Sequence, residues 1–268
     1  MRKRIGLIIG AGALAMVLAA CGTTEPTEAL PAPTVNFSVE DNGASVLLTW
    51  DAVSGAAGYK VECDGTTIAT LADSVTTYKI DGTQNVCKKV KVYAVDKDDN
   101  PGDTETLDFS MDSVRLTVYA TSDTVSTDPS WVKIDFTNFT VNAITQGNVD
   151  PTLDNVGYFV YEEVGGNRYF SDASNTSVGQ AREEIGFTDN TTDVLAPPSG
   201  ISAYGTTSET VNAGDRFIFW SDDVNSGTYG SIDSEDNLGV IKVNSVDGYA
   251  ADITVYIQKI GGLRWVKE

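Results

Sequence analysis

Histidine is absent from all 268 residues, and the absence removes whole classes of chemistry. Ser-His-Asp and Cys-His nucleophile pairs, imidazole-bound zinc and His-ligated haem all need an imidazole, so none of them can be built and haem is no partner. Cysteine is scarce, with three in the chain, at positions 21, 63 and 87. After residue 20 there is no apolar run near the roughly 20 residues that a membrane-spanning helix requires. Positive charge is also short: 18 Lys+Arg stand against 38 Asp+Glu, and three of those bases but none of the acids lie in residues 1–20, leaving 15 against 38, a formal −23, beyond them. Such a polyanion is repelled by phosphate backbones and anionic headgroups within a Debye length of roughly 8 Å, so nucleic acid is not an expected partner. The acidity keeps a secreted protein soluble, or else it meets cationic partners or calcium.

What is present begins with a signal. Arg2, Lys3 and Arg4 precede an apolar or small-residue run over 5–20, the layout of a secretory signal peptide. It ends in Leu18-Ala19-Ala20-Cys21-Gly22, which resembles the bacterial lipobox. The resemblance implies diacylglycerol on the Cys21 sulfur, cleavage before it and acylation of the new amine, with an uncleaved signal anchor as the alternative. Buried acyl chains contribute about 0.8 kcal/mol per methylene, so membrane lipid becomes a lasting partner of a multiply acylated cysteine. Gly22 resembles the residue found after the cysteine in lipoproteins sent to the outer membrane; the face of that membrane stays open. Residues 21–32 then read as the lipidated cysteine and a tether, since TTEPTEALPAP over 23–33 has three prolines, two glutamates and almost nothing to bury.

With Cys21 lipidated, Cys63 and Cys87 form an even pair in an oxidising compartment, which points to a disulfide. Closing that loop of about 25 residues contributes about 3.5 kcal/mol by chain entropy. Catalytic thiols are the alternative, but no base stands in the sequence to activate either one.

Residues 33–112 alternate short β-rich runs with turn clusters, which predicts a seven-stranded sandwich with strands near 35–39, 45–50, 59–63, 67–71, 77–80, 89–95 and 104–109. VLLTWDAV over 46–53 with Trp50, GYKVECDG from Gly58 and VKVYAVDKDDNPG from Val90 resemble the second, third and sixth strands of a fibronectin type III domain. The chain departs from that family at Lys88, where the corner tyrosine would stand. In that fold the third and sixth strands are antiparallel neighbours, so the resemblance brings Cys63 to Cys87, and the disulfide replaces the missing corner bond. The oxygens of 96–103 invite a calcium reading, but Pro101 and Leu107 occupy the positions of the glycine and glutamate of a hand-type loop; a hairpin turn is the simpler expectation.

Residues 113–268 suit a second all-β domain, a larger sandwich or barrel-like fold, with strands near 114–120, 131–141, 156–164, 168–171, 216–221, 239–243, 253–260 and 263–266 and a faint helical candidate at 178–185. Val132, Ile134 and Phe136 alternate with polar neighbours, as do Ile253, Val255 and Ile257. Phe217-Ile218-Phe219-Trp220 is apolar on both faces, the mark of a central, doubly covered strand. The stretch from Gly214 onward resembles the closing strands of β-domains in surface lipoproteins of Bacteroidetes-like bacteria; the haem-scavenging group among them binds through histidines that this chain lacks. Glu162-Glu163 and Glu183-Glu184 are neighbours on strands and so point to opposite faces, which prevents either pair from forming a glycosidase dyad. Asp222, Asp223 and Asn225, followed by Asp233, Glu235 and Asn237, cluster oxygens in two loops that would suit calcium or simply solvated turns.

The reading these features favour is a membrane-anchored, non-catalytic module that binds glycan. Trp131, Tyr256 and Trp265 are the candidate ring platforms, with ordinary packing as their alternative. A protein-binding adhesin or assembly component and a histidine-free hydrolase are the competing functions.

Overall fold

Runs of β-branched and aromatic residues, broken by Gly, Asn and Asp, form strands here and little else. The computed structural model describes residues 29–123, 127–173, 183–189, 193–196, 204–223 and 232–268; Cys21 and its signal lie outside the described residues. Within them the chain is all-β, apart from one 3-10 turn at Gln146–Asn148.

Strands β1 (Val35–Glu40), β2 (Ser45–Trp50), β3 (Gly58–Cys63), β4 (Thr66–Ala72), β5 (Thr77–Asp81), β6 (Lys89–Val95) and β7 (Pro101–Asp108) form two sheets, β1-β2-β5 and β4-β3-β6-β7. Val46, Leu48 and Trp50 of β2 and Val90, Val92 and Ala94 of β6 sit at alternate positions and are all buried, as the pleat of a half-covered strand dictates. Tyr59 packs its ring 5.5 Å from that of Trp50 and accepts a 2.7 Å hydrogen bond on its hydroxyl from the Val53 N–H. Cys63 and Cys87 are joined, with Cα atoms 5.3 Å apart, because β3 and β6 are antiparallel neighbours with Cys63 opposite Val90. Of the 96–103 stretch, 96–100 form the β6–β7 turn and 101–103 begin β7: Asp96 accepts from the N–H groups of Asp98 and Asn100 at 2.8 and 2.9 Å.

The remaining strands are β8 (Asp112–Tyr119), β9 (Trp131–Asp135), β10 (Thr140–Ile144), β11 (Val156–Val164), β12 (Asn167–Asp172), β13 (Glu183–Asp189), β14 (Arg216–Asp223), β15 (Asn237–Asp247) and β16 (Ala250–Ile257). They pair in the order β10-β9-β11-β13-β14-β15-β16-β8, with β12 on β11, and the sheet curls until β8 approaches β10 and β11. Inside the curl, Phe159, Phe170, Phe187 and Phe217 meet edge to face, with Phe219 in the same core. β14 is central, with Phe217 and Phe219 in this core and Ile218 and Trp220 in a separate cluster on the outer face.

Three expected elements differ. The run 131–141 is two strands, because Asp135 accepts the N–H groups of Thr137 and Asn138 at 3.0 and 2.9 Å and turns the chain there, with Phe139 at φ 50°. The helical candidate at 178–185 falls partly outside the described residues, and Glu183–Asp189 is strand β13, paired to β14. The stretch 263–266 is no strand. It crosses to the first unit instead, where the Arg264 N–H donates to the Gly43 carbonyl at 2.9 Å, while the Val266 N–H donates to that of Val194 at 2.8 Å.

That crossing fixes the two units together. Leu263 and Trp265 are buried in the core of the first unit, where the indole N–H of Trp265 donates to the Ala44 carbonyl at 2.9 Å and its ring lies 5.3 Å from Phe109. Arg264, 3% exposed, is satisfied by carbonyls, Asn42 at 2.7 Å from Nε and Ala196 from Nη1, and burial lowers its pKa. A glycine is needed at 43: at φ 81° an added Cβ would lie 1.9 Å from the Gly262 carbonyl oxygen.

Candidate functional site

Two of the three ring platforms expected from sequence, Trp131 and Trp265, are not presented to solvent. Trp131 is 3% exposed and packs with Val156, Tyr158 and Val160, since the outer face of β9, polar by parity, is covered rather than wet. Trp265 is 1% exposed and belongs to the junction just described. Tyr256 is partly buried against the outer cluster around Ile218 and Val240. Ordinary packing therefore accounts for both tryptophans, a correction to their reading as platforms.

The acidic loops spend their oxygens locally. Asp233 accepts the Glu235 N–H at 2.9 Å, and Asp236 accepts the Asp233 N–H at 2.8 Å. Asn237 opens β15 opposite Ser221. Asp222 and Asp236 are 1% and 2% exposed, and burial, reinforced by the Asp222 and Asp233 charges, pushes Asp236 up to about 8. Asn225 and the side chain of Asp223 lie outside the described residues, and among the described ones no three carboxylates converge as a metal site would require. Asp236, not singled out by sequence, is thus the perturbed acid of this region. Glu162 and Glu163 likewise go separate ways, Glu162 to the Ser171 hydroxyl and Glu163 to Arg168 at 3.3 Å.

A different site stands out at the disulfide corner. A groove of about 620 Å³ lies between the β3–β4 turn, the start of β6 and the end of the crossing segment, lined by Asp64, Gly65, Lys88, Lys89, Lys91, Ser110 and Lys267. Lys89 and Lys91 share the outward face of β6 because Val90 and Val92 between them fill the core. Neighbouring carboxylates are already engaged. Asp64 accepts the N–H groups of Lys88 and Lys89 at 2.9 and 2.8 Å with one oxygen and the Lys267 ammonium at 2.7 Å with the other. Partial burial pushes its carboxyl up, but Lys267 and the two backbone donors outweigh this and hold it below the ordinary range. Asp108, opposite Lys89, accepts the Ser110 N–H at 2.8 Å, and Glu62, opposite Lys91, accepts the Tyr93 hydroxyl at 2.8 Å. Among the described residues the ammonium groups of Lys88, Lys89 and Lys91 form no ion pair, whereas most other lysines and arginines hold a carboxylate. The run Lys88-Lys89-Val90-Lys91 is the sequence signal for this site, three cations within four residues of a cation-poor chain.

A second cavity, about 560 Å³, lies at the opposite end of the first unit, where Leu30 abuts Gly55, Ala57 and the 96–101 turn. There the Leu30 carbonyl accepts the Asp103 N–H at 2.7 Å. Since β6 runs seven residues from Lys89 to Val95, the two ends lie about 20 Å apart.

No protein-family model matches the chain, and no curated protein matches it. Among solved structures it is similar to a DUF4466 family protein from Parabacteroides merdae, a Bacteroidetes organism, with 10% identity and a TM-score of 0.38 over 86% of this chain and 100% of that one. It is also similar to a β-glucuronidase from glycoside hydrolase family 2, with 11% identity and a TM-score of 0.21 over 89% of this chain and 22% of that one. The chain thus corresponds to about a fifth of that enzyme.

Proposed function

We propose that the protein is an exported lipoprotein, held on a membrane through Cys21, that acts as a non-catalytic glycan-binding module. The observation that carries this reading is the placement of the two ends of the first unit. The chain enters at Leu30, on the end bearing the 96–101 turn, and the second unit is fixed at the other end by residues 263–265. Nine residues from the lipidated cysteine to Ala29 reach at most about 30 Å, so the first unit works as a spacer that lifts the second away from the lipid. Its β1-β2-β5 sheet over a β4-β3-β6-β7 sheet supports the fibronectin type III resemblance. The lysine groove lies at the end away from the tether and supplies a shallow site of lysine stems capped by cations.

Intact-mass measurement on protein from its host tests the anchor, with the expected species starting at an acylated Cys21; a chain still starting at Met1 would overturn it. A glycan array probed with the exported protein tests the binding, and silence across the array removes the glycan reading. Turnover in a screen of chromogenic glycosides would overturn the non-catalytic one. A protein partner is the second reading, favoured by the free edge of β1 with Phe37 41% exposed beside it. Cross-linking on intact cells followed by capture would then enrich a single protein band.

A further inference from the structure

Three neighbouring cations that form no close ion pair among the described residues are costly to keep, because like charges repel and the chain around them carries 38 acids. Here the nearest carboxylates are hydrogen-bonded away from the ammonium groups, although the Asp108 charge still acts on Lys89 across the strand pair. Asp64 is held by backbone N–H groups and Lys267, Asp108 by the Ser110 N–H, and Glu62 by the Tyr93 hydroxyl. Lys89 and Lys91 project from one face of a strand about 7 Å apart, and Lys88, just before the strand, also lines the groove. No large apolar or aromatic side chain lines the groove, so it lacks the buried anchor on which protein partners dock and the ring platform on which neutral sugars stack. What it does offer is a row of cations, lysine stems and the Ser110 hydroxyl.

We infer that this groove binds an anionic polysaccharide, a strand bearing carboxylate or sulfate groups, with Lys88, Lys89 and Lys91 as the residues that hold those groups. The inference rests on the glycan-binding reading above and gives it a ligand class and a place. Within a Debye length of roughly 8 Å at physiological salt the local cations decide the interaction, and the net negative charge of the rest of the chain is largely screened at greater range. Exposed ion pairs are individually weak, so the three lysines together are expected to account for about a tenfold difference in affinity rather than an absolute requirement.

The test uses the full exported protein in detergent over surfaces carrying polygalacturonate, dextran sulfate, unmodified dextran or polyglutamate, in 150 mM NaCl. Binding is expected to one or both charged polysaccharides and not to dextran, and which of the two is preferred separates carboxylate from sulfate recognition. It should disappear in 1 M NaCl, where screening acts within about 3 Å. The triple substitution Lys88→Gln, Lys89→Gln, Lys91→Gln should weaken it about tenfold with the melting midpoint unchanged. The corresponding Lys→Arg triple should restore it, and Lys133→Gln, on β9 of the second unit and away from the groove, should leave it alone. Lack of binding to either charged polysaccharide, an unaffected glutamine triple, or polyglutamate bound as tightly as the polysaccharides would overturn the inference, the last in favour of an acidic protein partner. A neutral glycan captured equally by wild type and triple variant would leave the glycan-binding reading standing while this one falls.

Discussion

The two β-units reach a closed core by different means. The second fills its curled sheet with its own phenylalanines, from β11, β12, β13 and β14. The first has seven short strands, a disulfide between β3 and the start of β6, and two core residues, Leu263 and Trp265, that belong to a segment some two hundred positions away. A unit of about eighty residues buries a smaller fraction of its surface than a larger domain does and is marginal alone. The contrast shows two remedies applied to one small sandwich, a covalent staple at its corner and apolar side chains borrowed from its neighbour.

The sharpest way to break the contrast is to remove the loan. Trp265→Ala should cost about 4 kcal/mol by loss of a buried ring and its hydrogen bond to Ala44. Amide exchange should accelerate across β2 and β5, while Phe219→Ala, of similar cost, should loosen β13 to β15 and leave β2 protected. Next in size, replacing Cys63 and Cys87 by serine should cost about 3 kcal/mol, again read as a lower denaturant midpoint for the first unit alone.

An opposite sign is expected at Asp236 in the second unit. Its folded pKa, about 8, is raised above the ordinary 3.8, so the folded state binds the proton more tightly. The contribution is complete below pH 4 and is lost as pH climbs towards 8. Asp236→Asn keeps an acceptor for the Asp233 N–H and should raise stability on the order of 2 kcal/mol at pH 8, with the gain shrinking at pH 5; thermal melts at the two pH values measure it. The smallest effect belongs to Asp64, whose folded pKa is depressed. Its stabilisation is present above the ordinary carboxylate range and is lost as pH falls through the folded value. Asp64→Asn should cost about 1 kcal/mol at pH 7 and become neutral in acid, as urea melts would show.

Much of the first unit could be read from its residues, because alternation such as Val46, Leu48, Trp50 and the turn chemistry of Asp96 are local signals. The bridge between Cys63 and Cys87 followed from compartment and resemblance together. The second unit was legible where both faces are apolar, as in 217–220, and misread where the far partner decides. Trp131 looked solvent-facing by parity, yet the outer face of β9 is covered by residues that sequence cannot place there. The same limit hid the lysine site. Lys88, Lys89 and Lys91 are adjacent in sequence, but that Asp64, Asp108 and Glu62 are occupied elsewhere emerges only from the pairing of β3, β6 and β7.

The Trp265 hydrogen bond to Ala44 spans 221 positions of chain. In an exported chain β2 must wait until the last residues have crossed the membrane for the ring that seals it. During that interval the nascent sandwich has an open seam of apolar surface, and the disulfide, whose two cysteines emerge close together, is the lock available to hold it shut.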